Sequence, residues 1–138
     1  MTDTDKITQA LTRIPYAQTL GIKPLFIGEE LTLIMPYLDS NIGNPTLPAL
    51  HGGSISGLME MAAIVQLIIE KGGEGKLPKP IGVNVDYLRK GHPKDTYARA
   101  VIFKQGSRVA NVRVRAWQED YDKPIAVMHG HYLTSKEP

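Results

Sequence analysis

The segment Leu50 to Ala63, "LHGGSISGLMEMAA", contains one residue that suits acid–base or nucleophilic chemistry. From Gly52 to Ile69 the only charged residue is Glu60. Burial of an unpaired carboxylate is costly, so Glu60 should be neutral, paired with a partner or exposed to a wet cavity. On this segment alone two roles stay open. Glu60 is either a catalytic carboxylate or a structural one that caps a backbone group or pairs with a lysine.

The first half of the chain predicts two helices separated by strands and a loop. Residues 3–13 predict a short amphipathic helix that ends near Pro15. Gly21 to Tyr37 predicts strands with a turn at residues 28–30, and the turn-rich loop "YLDSNIGNPTLPAL" follows. A long helix is predicted from Gly53 to about Lys71, where the glycines of "KGGEG" end it.

The second half predicts strands, because its apolar residues recur with a period of two. The connections between these strands are short and rich in turn formers, so neighbouring strands should be antiparallel. The long helix is apolar on nearly all sides, and such a helix must be buried nearly all round. The sheet should therefore wrap around it. The predicted strands include Ile81–Tyr87, Tyr97–Phe103, Val109–Trp117 and Pro124–Thr134.

Four segments carry a family resemblance: "GNPTLPALHGGSISGLMEMAA", "VNVDYLRKG", "GSRVANVRVRA" and "IAVMHGHYL". In this order and spacing they resemble the PaaI-type acyl-CoA thioesterases of the hotdog superfamily, over about residues 20 to 134. The resemblance implies an α+β fold with a single hotdog domain over residues 1–138, in which an antiparallel sheet of five to six strands wraps around one long central helix. It also implies hydrolysis of an acyl- or aroyl-CoA thioester to the free acid and CoA.

Four residues are candidates for the chemistry that the resemblance implies. Glu60 corresponds to the family's catalytic carboxylate, which acts as nucleophile or as general base on a water. Gly53 is the expected oxyanion donor, because N–H groups at a helix N-terminus favour a developing negative charge; a tight turn explains the same glycine equally well. Asn44 could hold the water or the thioester, or be a turn asparagine. His51 is interpreted as a loop-ordering residue that could help to polarise the carbonyl.

The sequence departs from the family pattern at two points. The acid is Glu60 where many members have Asp, which lengthens its reach by one methylene. Members also often carry Ser or Thr one helical turn after the acid or near the start of the next strand, where this chain has Ile64 and residues 77–82, "LPKPIG". Gln66 or Asn44 would then have to orient the water.

Charge is distributed unevenly along the chain. Residues 1–75 carry a net charge of −4 and residues 76–138 a net charge of +6, for a total of +2. Arginine binds phosphates through two parallel hydrogen bonds, and CoA carries a 3′-phosphate and a pyrophosphate. We therefore expect Arg89, Lys90 and Arg108, with Gly106 of "QGSRVA", to bind CoA. The alternative is a solvated strand face with a hairpin turn.

Other side chains receive a structural interpretation. His129 and His131 share one strand face at a spacing that can bind a metal, but no acid or cysteine lies near them in the sequence. We expect no metal site and no redox cofactor. Tyr37, Trp117 and Tyr132 are interpreted as packing residues.

Composition excludes several classes of protein. A chain of 138 residues fits one domain, and the absence of cysteine excludes disulfides and thiolate catalysis. The N-terminus lacks the basic start and apolar core of an export signal, and the longest apolar stretch is shorter than the roughly 20 residues of a membrane span. We expect a cytoplasmic protein with no membrane partner. Nucleic acid is not an expected partner either, because no nucleic-acid-binding motif is present.

We expect a homodimer, and beyond it a homotetramer built as a dimer of dimers. One sheet around one helix leaves an edge strand unpaired and the region of Glu60 poorly covered, so two subunits should share each active site. The alternative function is a non-catalytic acyl-CoA-binding or sensing protein with the same fold. A nucleic-acid-binding regulator is a third option, disfavoured because the short N-terminal helix leaves no room for a DNA-reading domain.

Overall fold

The computed structural model describes residues 2–70 and 77–134. They form a large antiparallel sheet, one long helix, two short N-terminal helices and a small hairpin. The helices are α1 (Asp3–Thr12), α2 (Pro15–Leu20) and α3 (Gly52–Glu70). The strands are β1 (Lys23–Ile27), β2 (Glu30–Met35), β3 (Ile42–Asn44), β4 (Ala49–Leu50), β5 (Lys79–Tyr87), β6 (Thr96–Gln105), β7 (Val109–Trp117) and β8 (Ala126–Leu133).

Six strands form the main sheet in the order β1-β2-β6-β7-β8-β5. Every neighbouring pair is antiparallel, and β3 pairs with β4 in a separate hairpin. The two edges of the sheet are β1 and β5. This arrangement confirms the predicted hotdog architecture, with six strands wrapped around one helix.

The central helix α3 is buried because its sequence offers almost no polar face. Twelve of its nineteen residues are buried, including Leu58, Met59 and Val65 with no exposed surface. By length and composition α3 could cross a membrane, but 67% of its most apolar window is buried inside the fold, as in the core helix of a soluble protein. The hydrophobic effect of this burial holds the sheet around the helix.

The sheet has an inner face towards α3 and an outer face away from it. Alternate residues of β7 and β8 are buried on the inner face, as the period-two pattern predicts. The register places Val83, Val85 and Tyr87 of β5 on the same face, opposite Gly130, Met128 and Ala126 of β8. Strand β5 is nevertheless exposed along almost its whole length, because no other described strand pairs with its outer edge.

The N-terminal region differs from the prediction in one element. Helix α1 was predicted and begins with a capping box in which Thr2 and Asp5 exchange side-chain and backbone hydrogen bonds. Helix α2 was not predicted, because Pro15 was interpreted only as the end of α1. Proline is equally suited to the first turn of a new helix, and α2 ends at Gly21 with a φ of 71° that favours glycine.

The remaining boundaries agree closely with the sequence. Helix α3 begins at Gly52 rather than Gly53, and β7 has the predicted bounds. The turn-rich loop contains the short hairpin of β3 and β4. The predicted helix end at Lys71 and the glycines of "KGGEG" lie outside the described residues.

Candidate active site

Glu60 lies on a half-buried stripe of α3 that also contains Gly53 and Ser56. These residues are three and four positions apart, so they share one helix face. The Ser56 hydroxyl donates to the Gly53 carbonyl at 3.2 Å, whereas the Glu60 carboxylate has no hydrogen bond or ion pair with any described residue. Burial raises the pKa of Glu60 above its ordinary value. The structure therefore presents an unpaired, partly desolvated carboxylate.

His51 caps the N-terminus of α3. Its Nδ1 accepts the Gly53 backbone N–H at 2.8 Å, and its carbonyl accepts the Ser54 and Ile55 backbone N–H groups. An imidazole that accepts at Nδ1 is neutral and carries its proton on Nε2. His51 thus orders the start of the helix, consistent with the loop-ordering interpretation.

Gly53, the expected oxyanion donor, has its N–H occupied by His51, whereas Gly52 has a free N–H within residues 2–70 and 77–134. The Gly52 carbonyl accepts the Tyr87 hydroxyl at 2.8 Å, which ties the start of α3 to β5. A side chain at Gly52 would lie 3.3 Å from the Tyr87 ring. We expected the free N–H at Gly53, whereas within the described residues it belongs to Gly52. The sequence signal for this difference is the spacing of two residues between His51 and Gly53, which allows the imidazole to cap the Gly53 N–H.

Asn44 occupies a turn. Its Oδ1 accepts the backbone N–H groups of Thr46 and Leu47 at 2.9 and 3.2 Å. The preceding Gly43 packs so closely against His51 that a Cβ would lie 2.8 Å from the His51 Cα. The hairpin is therefore attached to the N-terminus of α3. Glu60 follows His51 by nine residues, about 13 Å along the helix axis.

The predicted CoA-binding residues are held by backbone contacts. Arg89 Nη1 donates to the Pro124 carbonyl at 2.6 Å, and Lys90 Nζ donates to the Leu47 carbonyl at 3.1 Å. The Gly106 N–H donates to the Val109 carbonyl in the turn between β6 and β7.

Arg89 and Arg108 lie at opposite ends of the sheet. The Arg89 N–H donates to the Ile125 carbonyl, and the Arg108 carbonyl accepts from the Thr134 N–H. Nine residues of extended chain separate these two contact points along β8, a distance of about 30 Å. One chain does not bring the two arginines together.

The outer face of the sheet carries a separate cleft of about 850 Å³. Three arginines line it, with Phe103 and His129 beside them, and the Arg113 guanidinium lies 4.0 Å from the centre of the Phe103 ring. The His129 and His131 rings are 5.2 Å apart, and within the described ranges they belong to no group of three potential metal ligands. The cleft contains none of the predicted site residues. Its arginines are Arg99, Arg113 and Arg115.

Residues 47–125, which include α3 and its unpaired carboxylate, match the family described as the thioesterase superfamily. The chain belongs to the thioesterase superfamily. This membership supports thioester hydrolysis as the general class of activity. No curated protein sequence matches the chain.

Solved structures match nearly the whole chain. A Chromobacterium violaceum protein is 34% identical, with 97% of this chain and 93% of that chain covered and a TM-score of 0.74. A Pseudomonas aeruginosa protein is 26% identical, with 96% and 99% covered and a TM-score of 0.84. A phenylacetic acid degradation-related protein from Ralstonia eutropha is 18% identical, with 94% and 99% covered and a TM-score of 0.75, and shares the fold. The resemblance to thioesterases and the hotdog fold are confirmed.

Proposed function

We propose that the protein is an acyl-CoA thioesterase in which Glu60 is the catalytic carboxylate. The observation that supports this most directly is the half-buried Glu60 carboxylate, which has no partner among the described residues, on the central helix of a thioesterase-superfamily fold. A general base works best when its pKa lies near the operating pH, and burial raises the pKa of Glu60 in that direction.

The chemistry needs one carboxylate and one free helix N–H. Gly52 precedes Glu60 by eight residues, about 12 Å along α3, so the two groups that act on one thioester would come from the two subunits of the proposed dimer. As a general base, Glu60 takes a proton from a water whose oxygen attacks the thioester carbon. The oxyanion that forms accepts from a backbone N–H at the start of a helix, where the dipole also favours negative charge, and Gly52 is our choice of donor. The C–S bond then breaks, and the proton passes from Glu60 to the departing CoA sulfur. As a nucleophile, Glu60 would instead form an anhydride that water hydrolyses to the same products.

A homodimer formed through β5 would complete the site. Strand β5 presents unpaired backbone groups and exposed apolar side chains, including Ile81 and Val83. A two-fold pairing of β5 with a second β5 would satisfy this edge. It would also cover the Glu60 side of α3, because Tyr87 of β5 holds the start of that helix. Two such dimers would form the proposed homotetramer.

The same pairing would place basic residues of two subunits near one CoA. An antiparallel two-fold axis reverses the direction of the partner strand, so the Arg108 end of one subunit lies beside the Arg89 end of the other. Arg89 and Arg108 of one chain remain about 30 Å apart, but Arg108 of one subunit comes close to Arg89 of the other. In this proposal Arg89, Lys90 and Arg108 bind the CoA phosphates, and the turn at Gly106 lies along the nucleotide.

Thiol release from CoA thioesters tests the assignment of Glu60. The variant Glu60→Gln keeps the size of the side chain but removes the base, so turnover should fall by about two or more orders of magnitude while acyl-CoA affinity is retained. Glu70→Gln is the matched control, because Glu70 is exposed on the same helix. A panel of acyl and aroyl chains identifies the substrate class.

Two results would overturn parts of this proposal. Unchanged turnover in Glu60→Gln would remove Glu60 from the mechanism. Tight binding of acyl-CoA without thiol release by the unmodified protein would establish the alternative function, an acyl-CoA-binding or sensing protein. A single turnover in ¹⁸O-water identifies direct attack if an unlabelled oxygen of Glu60 appears in the acid, which happens when water attacks the Glu60 carbonyl of the anhydride.

A further inference from the structure

Tyr132 is a buried phenol whose hydroxyl has no hydrogen-bond partner among residues 2–70 and 77–134. The side chain is among the largest that are fully buried, with 0% exposure, and its Oη has no hydrogen bond within the described part of the chain. Buried tyrosine hydroxyls usually find a partner, because an unsatisfied one bears the full cost of its desolvation. Packing alone would be served as well by phenylalanine. The hydroxyl therefore needs an explanation.

The Tyr132 ring is held in one orientation on the inner face of the sheet. A Cβ placed on Gly130 would lie 2.8 Å from Tyr132 Cε1 and 3.6 Å from its Cδ1, so the outer half of the ring covers Gly130. The same Cβ would lie 3.2 Å from a methyl group of Val83 on β5. The ring is thus confined by β8 and β5, with its hydroxyl directed away from its own backbone.

Glu60 is the charged group that acts on this hydroxyl. Burial, and next the negative charge of Glu60, raise the pKa of Tyr132 far above its ordinary value. No other charged group from α3, β5, β7 or β8 contributes among the described residues, and burial is the only cause of the raised pKa of Glu60. Tyr87, the other tyrosine on the inner face of β5, donates to Gly52 instead. Both groups lie about 12–13 Å from the Tyr87–Gly52 contact: Glu60 is eight residues along α3 from Gly52, and Val83, beside the Tyr132 ring, is four residues along β5 from Tyr87. Among the described residues they are a donor without an acceptor and an acceptor without a donor.

We propose that Tyr132 is a positioning residue whose hydroxyl donates a hydrogen bond to one oxygen of the Glu60 carboxylate in the working enzyme. A rotation of the half-exposed Glu60 side chain completes the contact and leaves its second oxygen for the water or the thioester. The phenol remains a donor throughout, because it does not ionise in the working pH range. A hydrogen bond to the ionised carboxylate favours that form and counteracts the effect of burial. This inference rests on the proposed catalytic role of Glu60.

The test is an NMR titration of Glu60 in protein with ¹³C-labelled glutamate carboxyls, with the signal assigned by its loss in Glu60→Gln. In Tyr132→Phe the proton affinity of Glu60 should rise several-fold, because the carboxylate loses its donor. The acidic limb of the kcat/KM profile should move in the same direction, with kcat reduced more than KM is changed. Tyr97→Phe is the control, since Tyr97 stacks on Trp117 at the outer face.

A purely structural hydroxyl gives the opposite result. Phenylalanine would then relieve an unsatisfied polar group, so Tyr132→Phe would melt at a higher temperature with an unchanged Glu60 titration, and the proposal would be wrong. The titration does not depend on turnover. A shifted titration in a protein without thioesterase activity would therefore refute the proposed function and keep the Tyr132–Glu60 contact, whereas activity with an unshifted titration would refute the contact alone.

Discussion

Substitution of Ile81 by threonine should weaken the proposed homodimer by a calculable amount. Ile81 lies on edge strand β5 and is 59% exposed. Full burial of an isoleucine side chain is worth about 1.5–3 kcal/mol, so covering the exposed part is worth about 1–2 kcal/mol. Threonine keeps the branched β-carbon and one methyl, which reduces the expected loss to about 1 kcal/mol per subunit. Two symmetric subunits lose about 2 kcal/mol, which corresponds to an increase of about 30-fold in the dimer Kd.

Sedimentation over a dilution series measures this Kd, and thiol release at the same concentrations measures activity. Because the proposed site is shared, activity should fall in parallel with the dimer fraction. Leu25→Thr is the matched control, since Leu25 lies on the opposite edge strand β1 and is 38% exposed. An unchanged Kd in Ile81→Thr, an equal effect of Leu25→Thr, or a fully active monomer would each refute pairing through β5.

Three further predictions concern the phosphates, the buried carboxylate and the core. Arg108→Ala should raise KM for CoA thioesters but not for N-acetylcysteamine thioesters, which lack the nucleotide. If steady-state assays show the same loss of kcat/KM with both kinds of substrate, Arg108 has a structural role instead. Because Glu60 binds its proton more tightly in the folded than in the unfolded state, its ionisation opposes folding above its raised pKa. Thermal melts should therefore show Glu60→Gln to be more stable than the parent well above that pKa, with no difference below the ordinary value of 4.5. Gly130→Ala should lower the free energy of unfolding by about 1–3 kcal/mol in urea titrations, since its Cβ would lie 2.8 Å from the Tyr132 ring, whereas Gly82→Ala, with open space around it, should have little effect.

The fold was predictable because its elements are encoded locally. The segment Gly52–Ile69 has no charge other than Glu60, so a helix formed by it must be buried on nearly all sides. The segments that follow have a period of two, which predicts strands packed around that helix. Helix α2 was missed because Pro15 suits both the end of one helix and the start of the next. The choice between them depends on tertiary packing of Ala17 and Leu20 in the core, which no local pattern records.

The candidate site was predictable only in part, because several of its contacts join residues distant in sequence. The sequence itself shows that Glu60 is the only charged residue in an apolar segment. The bond from Tyr87 to Gly52 spans 35 residues, and the electrostatic effect of Glu60 on the pKa of Tyr132 spans 72. Tyr132 was interpreted as a packing residue, and its burial agrees with that interpretation. Its unpaired hydroxyl becomes evident only when the inner face of β8 is placed against α3.

Strand β5 connects the proposed dimer with the proposed chemistry. Its Tyr87 holds the Gly52 carbonyl at the start of α3, and its Val83 confines the ring of Tyr132 near Glu60. The same strand is the exposed edge through which we propose that subunits pair. An unpaired edge strand is less constrained than one in the middle of a sheet, because half of its backbone groups lack a partner. Pairing would therefore fix the helix N–H, the carboxylate and its positioning hydroxyl together. A monomer lacks the residues that its partner would contribute, and its own β5 is also less well fixed. Its activity should therefore fall further than the missing partner residues alone would explain.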